Sequence, residues 1–122
     1  MDNPFGYPAR QWAKAKREAR EILVEIAREQ EIIAYSDVAT RIHAIELEAY
    51  DRRLDTLLGE ISEEEDAAGR GMLSAVVVHK DGDQRPGNGF FDWAQELGHI
   101  VADRDKFWIG MLMKVHAYWR SK

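Results

Sequence analysis

Between Met72 and Gly98 the chain reads MLSAVVVHKDGDQRPGNGFFDWAQELG, and this stretch sets what the rest can fold into. Ser74-Ala75-Val76-Val77-Val78-His79 is a β-branched run, bounded by Gly71 and by Asp81-Gly82. Consecutive valines, rather than strict alternation, predict a strand covered on both faces. Branching at Cβ favours the pleated conformation. Lys80-Asp81-Gly82-Asp83 then predicts a turn, because Gly82 tolerates positive φ and aspartate side chains cap turn amides. Pro86 ends any returning strand or leaves it at an edge. A helix follows from near Phe90, with Phe90, Phe91, Ala94 and Leu97 inward and Gly98 at the expected stop. A doubly covered strand needs neighbours on both sides, so the flanking segments must pack around it.

Gly87-Asn88-Gly89 leads into that helix. Free amides at a helix start attract phosphate. A tight turn that lets two phenylalanines reach the core explains the same residues. The turn is favoured, since Asp92 in the first turn already complements the helix dipole and would repel an anion.

Met1 to Pro8 holds two prolines and a glycine and reads as an irregular arm, with Phe5 and Tyr7 placed to pin it to the body. Ala9 to Glu31 is the clearest helix: Trp12, Ala15, Ala19, Ile22, Leu23, Ile26 and Ala27 recur at helical spacing. Lys14 with Glu18, and Arg17 with Glu21, are spaced as i,i+4 pairs on its outer face. Arg10, Lys14, Lys16, Arg17 and Arg20 form a basic cluster, read as a solvated helix face because glutamates interleave it. Ile32 to Tyr35 predicts a short strand, and Ser36 an N-cap. Val38, Ala39, Ile42 and Ile45 give the inner face of a helix over about 37–44. A further helix, about 49–61, is expected to turn Tyr50, Leu54, Leu57, Leu58 and Ile61 inward and Asp51, Arg52, Asp55, Thr56 and Glu60 outward. Ser62 and Glu65 match a capping box that starts one more helical turn, ended by Gly69-Arg70-Gly71. His99 to Ala102 reads as extended or loop. Asp103 caps a last helix whose stripe is Phe107, Trp108, Met111, Leu112, Val115, Tyr118 and Trp119.

At 122 residues, 45% of them hydrophobic, with four each of Trp, Tyr and Phe, the chain can build one domain with a real core. Residues 1–8 are assigned to the arm and 9–122 to a single domain. Cysteine is absent, which removes a disulfide framework, a thiol nucleophile and Cys-ligated zinc. No apolar run approaches a membrane span and no signal-peptide core is evident, so a cytoplasmic location away from membranes is expected. The net charge of −5 counts against nucleic acid as the main partner, although a local basic patch can sit on an acidic domain.

No catalytic constellation stands out. His43, His79, His99 and His116 show no metal-ligand spacing, and no metal or cofactor is expected. Ser36, Ser62 and Ser74 lack a nucleophile-elbow context. Glu63 to Asp66 reads as a solvated charge run. Lys80, Asp81 and Asp83 share residue types with nuclease carboxylate–lysine sites, but turn chemistry accounts for them.

Element order is more informative. A helix, a short strand, a helix, a second helix bearing Arg52 and Arg53, then a strand and a glycine-rich loop is winged-helix order. Ile33-Ala34-Tyr35-Ser36-Asp37-Val38-Ala39, followed by Val76 to Gly82 and Gly87-Asn88-Gly89-Phe90, resembles the winged-helix domain of alkylguanine-DNA alkyltransferases and alkyltransferase-like proteins. The resemblance spans about 32–98. It implies a second helix that enters the DNA minor groove, with an arginine replacing a flipped base; Arg52 or Arg53 matches that position. The family's Pro-Cys-His-Arg motif should fall just before the valine strand, where this chain has Met72-Leu73-Ser74-Ala75, so alkyl transfer to cysteine is excluded. The Leu-Ser-Ala-Val-Val-Val and Pro-Gly-x-Gly-Phe-Phe patterns are also similar to short uncharacterised bacterial proteins, which implies no activity.

The expected architecture is α+β and mostly helical, a winged-helix-like core with a small β-sheet and long N- and C-terminal helices. Two functions stay open. One is a non-catalytic module that binds or associates with duplex DNA, with Arg41, Arg52, Arg53, Arg70, Lys80 and Arg85 on phosphates and Tyr35 or Asn88 near backbone or bases. The other is a protein-interaction module, including a homodimer that covers surplus apolar surface. Asp51, Asp55 and Glu60 on the candidate recognition helix oppose the first and suit the second. A continuous positive surface over Arg52, Arg53, Arg70 and Lys80 would separate them.

Overall fold

The first helix follows its periodicity. In a computed structural model describing residues 5–122, α1 (Ala9–Arg28) buries Trp12, Ala15, Ala19, Leu23, Val24, Ile26 and Ala27 along one side. It ends before Glu31 because Gln30 takes a φ of 61°, and the Gln30 and Glu31 amides turn back to the Ala27 and Ile26 carbonyls. The Gln30 side chain donates to the Ala27 and His116 carbonyls, which fixes this bend. Residues 1–4 of the expected arm lie outside the described residues. Phe5 and Tyr7 do pack on Trp12, with ring centroids 5.8 and 6.0 Å away.

β1 (Ile33–Ala34) runs directly into α2 (Tyr35–Arg41). Ala34, not Ser36, occupies the N-cap position, because α2 begins earlier than expected. Ser36 therefore falls inside the first turn, and its buried hydroxyl has no hydrogen-bond partner among the described residues.

α3 (Arg52–Ala67) is one 16-residue helix where two pieces were expected. Asp51 caps it, accepting from the Arg53 amide at 2.9 Å. The capping-box reading of Ser62 and Glu65 is overturned: both point into the protein, Ser62 to Ser74 and Glu65 to two arginines. The helix has no need of a restart when both polar groups find tertiary partners. Tyr50 also departs from expectation. It precedes the helix rather than lying on its inner face, and it is 75% exposed.

The valine run is not a six-residue strand. Leu73–Val76 forms a 3-10 turn, and only Val77–Val78 is strand, β2. Met72, Leu73, Ala75, Val76 and Val77 have no exposed surface. The tighter winding points successive side chains in several directions, toward α1, α3 and α5 together. A strand would have offered two faces only. Fully burying side chains of this size contributes roughly 1.5–3 kcal/mol each, which outweighs local β propensity. β2 pairs with β1 in parallel, Ile33 opposite Val77 and Ala34 opposite Val78.

The loop after β2 closes on itself, the His79 amide donating to the Arg85 carbonyl at 2.9 Å. Gly82 takes a φ of +74°, as its turn requires. α4 (Asn88–Glu96) starts slightly before Phe90, and Gly98 follows it with a φ of +93°. Asp103 caps α5 (Arg104–Trp119), accepting from the Lys106 amide at 3.1 Å. α5 lies against α1 and the 3-10 turn, burying Met111, Val115 and Trp119. The Trp108 indole donates to the Ala75 carbonyl at 2.8 Å. The architecture is thus mostly helical with a small parallel sheet. α4 packs on α3 and brings the starts of α2, α3 and α4 to one end of the molecule.

The outer face of α1 also differs from expectation. Lys14–Glu18 and Arg17–Glu21 do not close as ion pairs among the described residues. Glu18 instead accepts from the Ala44 amide at 2.8 Å. Lys16 reaches across to Glu60 and Glu64 on α3.

Candidate functional site

Where the starts of α2, α3 and α4 meet, the surface opens into a cleft of about 500 Å³. One wall is aromatic. The His79 ring lies between Tyr35 and Tyr50, with centroid separations of 5.2 and 5.5 Å. Tyr35 is the first residue of α2, and its hydroxyl accepts from the Gly87 amide at 2.9 Å. Burial pushes the Tyr35 hydroxyl pKa up, only partly offset by that amide, with Asp55 and Tyr50 adding to the rise. Tyr35 therefore stays a neutral phenol. Gly87 keeps this wall tight: a Cβ there would lie 3.2 Å from His79 Nε2 and 3.4 Å from Tyr35 Oη.

The other wall is acidic. Asp55 on α3 and Asp92 on α4 face the cleft across Gly89. A Cβ at Gly89 would fall 2.0 Å from Asp55 Oδ1, so the carboxylate occupies space that only glycine leaves. Burial pushes the Asp55 carboxyl pKa up; a hydrogen bond from Trp93 opposes this and the nearby Asp92 charge adds to it. A second hollow of about 240 Å³ continues from the first, sharing Asp55, Gly89 and Asp92 and adding Trp93 and Glu96. Asp55, Asp92 and Glu96 have no ion-pair partner among the described residues.

The structure brings only some of the expected site residues together. Tyr35, Arg52 and Asn88 line the cleft, Arg52 being exposed at the first position of α3. Asn88 Oδ1 accepts from Arg104 at 2.8 Å. Arg53, its neighbour in sequence, turns away and binds the Asp51 carboxylate, with Nε 2.9 and 3.0 Å from its two oxygens. It also donates to the Tyr7 hydroxyl. Arg70 sits beyond the far end of α3, 2.9 and 2.7 Å from the two oxygens of Glu65. Arg85 is paired with Asp105. Arg41 and Lys80 border a separate hollow with Glu31 and Asp37. The continuous positive surface over Arg52, Arg53, Arg70 and Lys80 is therefore not formed. Two of its four members are held in ion pairs, at opposite ends of a helix about 24 Å long at 1.5 Å per residue.

Tyr50, Asp55, His79 and Asp92 were not singled out as site residues from sequence. Tyr50 read as core and Asp55 as solvated helix surface. The usable signal was local: Asp51 as an N-cap puts Tyr50 outside the helix, and a glycine-flanked helix start admits a neighbour's side chain.

The place matching the alkyltransferase cysteine motif is core. Ser74 is 6% exposed. Its amide donates to the Ser62 hydroxyl at 3.0 Å, and the Ser62 hydroxyl donates back to Ser74 Oγ at 2.6 Å. The expected tight turn at Gly87-Asn88-Gly89 is instead the start of α4: Gly87 is its N-cap, Asn88 and Gly89 its first residues, and Asp92 falls beyond the first turn; the Gly87 amide is taken by Tyr35. Among the other histidines, His99 pairs with Asp66 at 3.0 Å and His116 bonds to the Glu31 carbonyl. Among the described residues, no group of three or more His, Asp or Glu side chains converges on a metal position, and no helix is long and apolar enough to cross a membrane.

No protein-family model matches this chain, and comparison with curated proteins and with solved structures gives no match.

Proposed function

We propose that this chain is a protein-interaction module whose partner segment enters the cleft at the starts of α2, α3 and α4. One observation carries the reading. The cleft is walled by Tyr35, Tyr50 and His79 on one side and by Asp55 and Asp92 on the other, while three of the five arginines expected to meet phosphates, Arg53, Arg70 and Arg85, are held in ion pairs. Carboxylates at the mouth repel a phosphate backbone, and exposed tyrosine is a common anchor at protein interfaces.

Arg52 supports a second reading, a DNA-associated winged-helix-like module. It is exposed, makes no ion pair among the described residues, and holds one of the two positions, Arg52 or Arg53, that the alkyltransferase likeness offers for a minor-groove arginine. Element order supports the winged-helix likeness; the parallel pairing of β1 and β2 is its own feature. Fluorescence anisotropy with labelled duplex DNA, at low and near-physiological salt, tests the two. The interaction reading expects no saturable binding even at low salt, where phosphate contacts are strongest. Salt-sensitive binding that Arg52→Ala weakens without unfolding the protein would replace it with the DNA reading.

A further inference from the structure

The cleft has a chemistry more specific than a general docking surface. Its aromatic wall is made of Tyr35, His79 and Tyr50, of which Tyr50, 75% exposed, is the outermost. Tyrosine faces attract cations through the ring quadrupole. Opposite stand Asp55 and Asp92, and the groove runs on to Glu96 and Trp93. These carboxylates find no cation within the described residues. The Asp92 charge raises the Asp55 pKa in addition to the effect of burial. Two neighbouring carboxylates that repel one another are relieved by a ligand of positive charge. Arg52 borders the same cleft and repels a cation from its own side, which directs the ligand to the Asp55–Asp92 side.

Resting on the interaction reading, we propose that the cleft receives an arginine side chain of a partner polypeptide, its guanidinium stacked between the tyrosine–histidine wall and the Asp55 and Asp92 carboxylates. Arginine fits better than lysine. A guanidinium is planar, stacks on aromatic faces and presents a fork of donors to carboxylate oxygens, whereas an ammonium is a compact, strongly hydrated point charge. The acidic continuation over Glu96 and Trp93 suits further basic residues beside it.

The test is a titration of the isotope-labelled protein, followed by NMR at the Trp93 indole and the His79 ring. The probe is a blocked alanine pentapeptide with one central arginine, taken to about 10 mM, above the millimolar Kd of a single side-chain contact. The citrulline version of the same peptide, neutral and of the same shape, is the control. Both resonances should shift with the arginine peptide, and the citrulline peptide should bind at least about tenfold more weakly. Asp55→Asn should reduce the arginine affinity by a similar factor. That variant loses an unpaired, partly buried charge, so it should fold at least as well as the parent. Equal binding of the two peptides, or an affinity unchanged by Asp55→Asn, overturns the proposal. A cleft that responds to neutral or acidic peptides but not to arginine overturns the arginine assignment and leaves the interaction reading standing. Binding of duplex DNA with no response to any peptide removes both.

Discussion

At the scale of single residues, the three buried polar side chains Ser62, Ser74 and Glu65 all have partners. Ser62 is the hinge of one such set, accepting from the Ser74 amide and donating to the Ser74 hydroxyl. Both serines are buried. Ser62→Ala leaves a buried amide without its acceptor, which costs about 1–3 kcal/mol. Chemical denaturation should show this as a lower midpoint at unchanged slope. A loss below a few tenths of a kcal/mol would mean the amide is satisfied by other means. Neither serine announced this role. The contacts between them bridge the interior of α3 and the 3-10 turn, and a Ser-x-x-Glu spacing reads as a helix start when only local partners are considered. Tyr50 departs from its helical spacing for a similar reason. Helical spacing assigns it an inward face only if it lies in the helix, and the Asp51 cap places it outside.

At the scale of elements, the seam between α3 and α4 is set by glycine. A Cβ at Gly59, inside α3, would lie 2.0 Å from Cε2 of the Trp93 indole on α4. Glycine inside a helix costs about 1 kcal/mol relative to alanine, so its helix-forming penalty is offset by this close approach. Gly59→Ala recovers the helical preference but displaces the indole, and overpacking of this kind costs typically 1–3 kcal/mol. The variant should melt no higher than the parent, with a red-shifted tryptophan emission as the ring moves toward solvent. A higher Tm with unchanged emission would show that the seam tolerates a methyl. Because Trp93 also hydrogen-bonds Asp55, this packing sets the acidic wall of the cleft as well as joining two helices.

At the scale of the whole molecule, the carboxylates make stability depend on pH in a specific direction. Hydrogen bonds from Arg53 hold the Asp51 carboxyl down to about 2. Burial pushes Glu65 up, but the Arg70 and Arg20 guanidiniums outweigh it and hold its carboxyl below the usual value. Both are depressed on folding. Each therefore contributes stability that is fully present above the unfolded carboxylate range, about 4, and lost as pH falls through its own folded value, which for Asp51 is about 2. Asp55 is shifted the other way; its ionised form costs stability near neutrality, and protonation removes that cost. The denaturation midpoint should thus drop between about pH 5 and pH 2. The double variant Asp51→Asn, Glu65→Gln should lose most of that slope, with asparagine still able to cap α3. An equal slope in the double variant would place the acid sensitivity elsewhere. Asp55→Asn alone should raise the midpoint at neutral pH.

The elements whose signals are local can be read from the chain alone. α1 and α5 follow from helical spacing of large apolar residues, the Asp103 cap from a side chain that reaches an amide three residues on, and the end of α4 from Gly98 at positive φ. Periodicity and capping depend only on neighbours in the chain, so they survive without knowledge of the fold. Packing between segments distant in the chain set the rest. It wound half of the valine run into a 3-10 turn, because that segment is surrounded by three helices and a strand has only two faces. It divided the arginines, fixing Arg53 and Arg70 on carboxylates and leaving Arg52 exposed. It also drew Tyr35, Tyr50, His79, Asp55 and Asp92 into one cleft from four separate segments. Such a juxtaposition is set by the packing of helices far apart in the chain, and no local pattern encodes it.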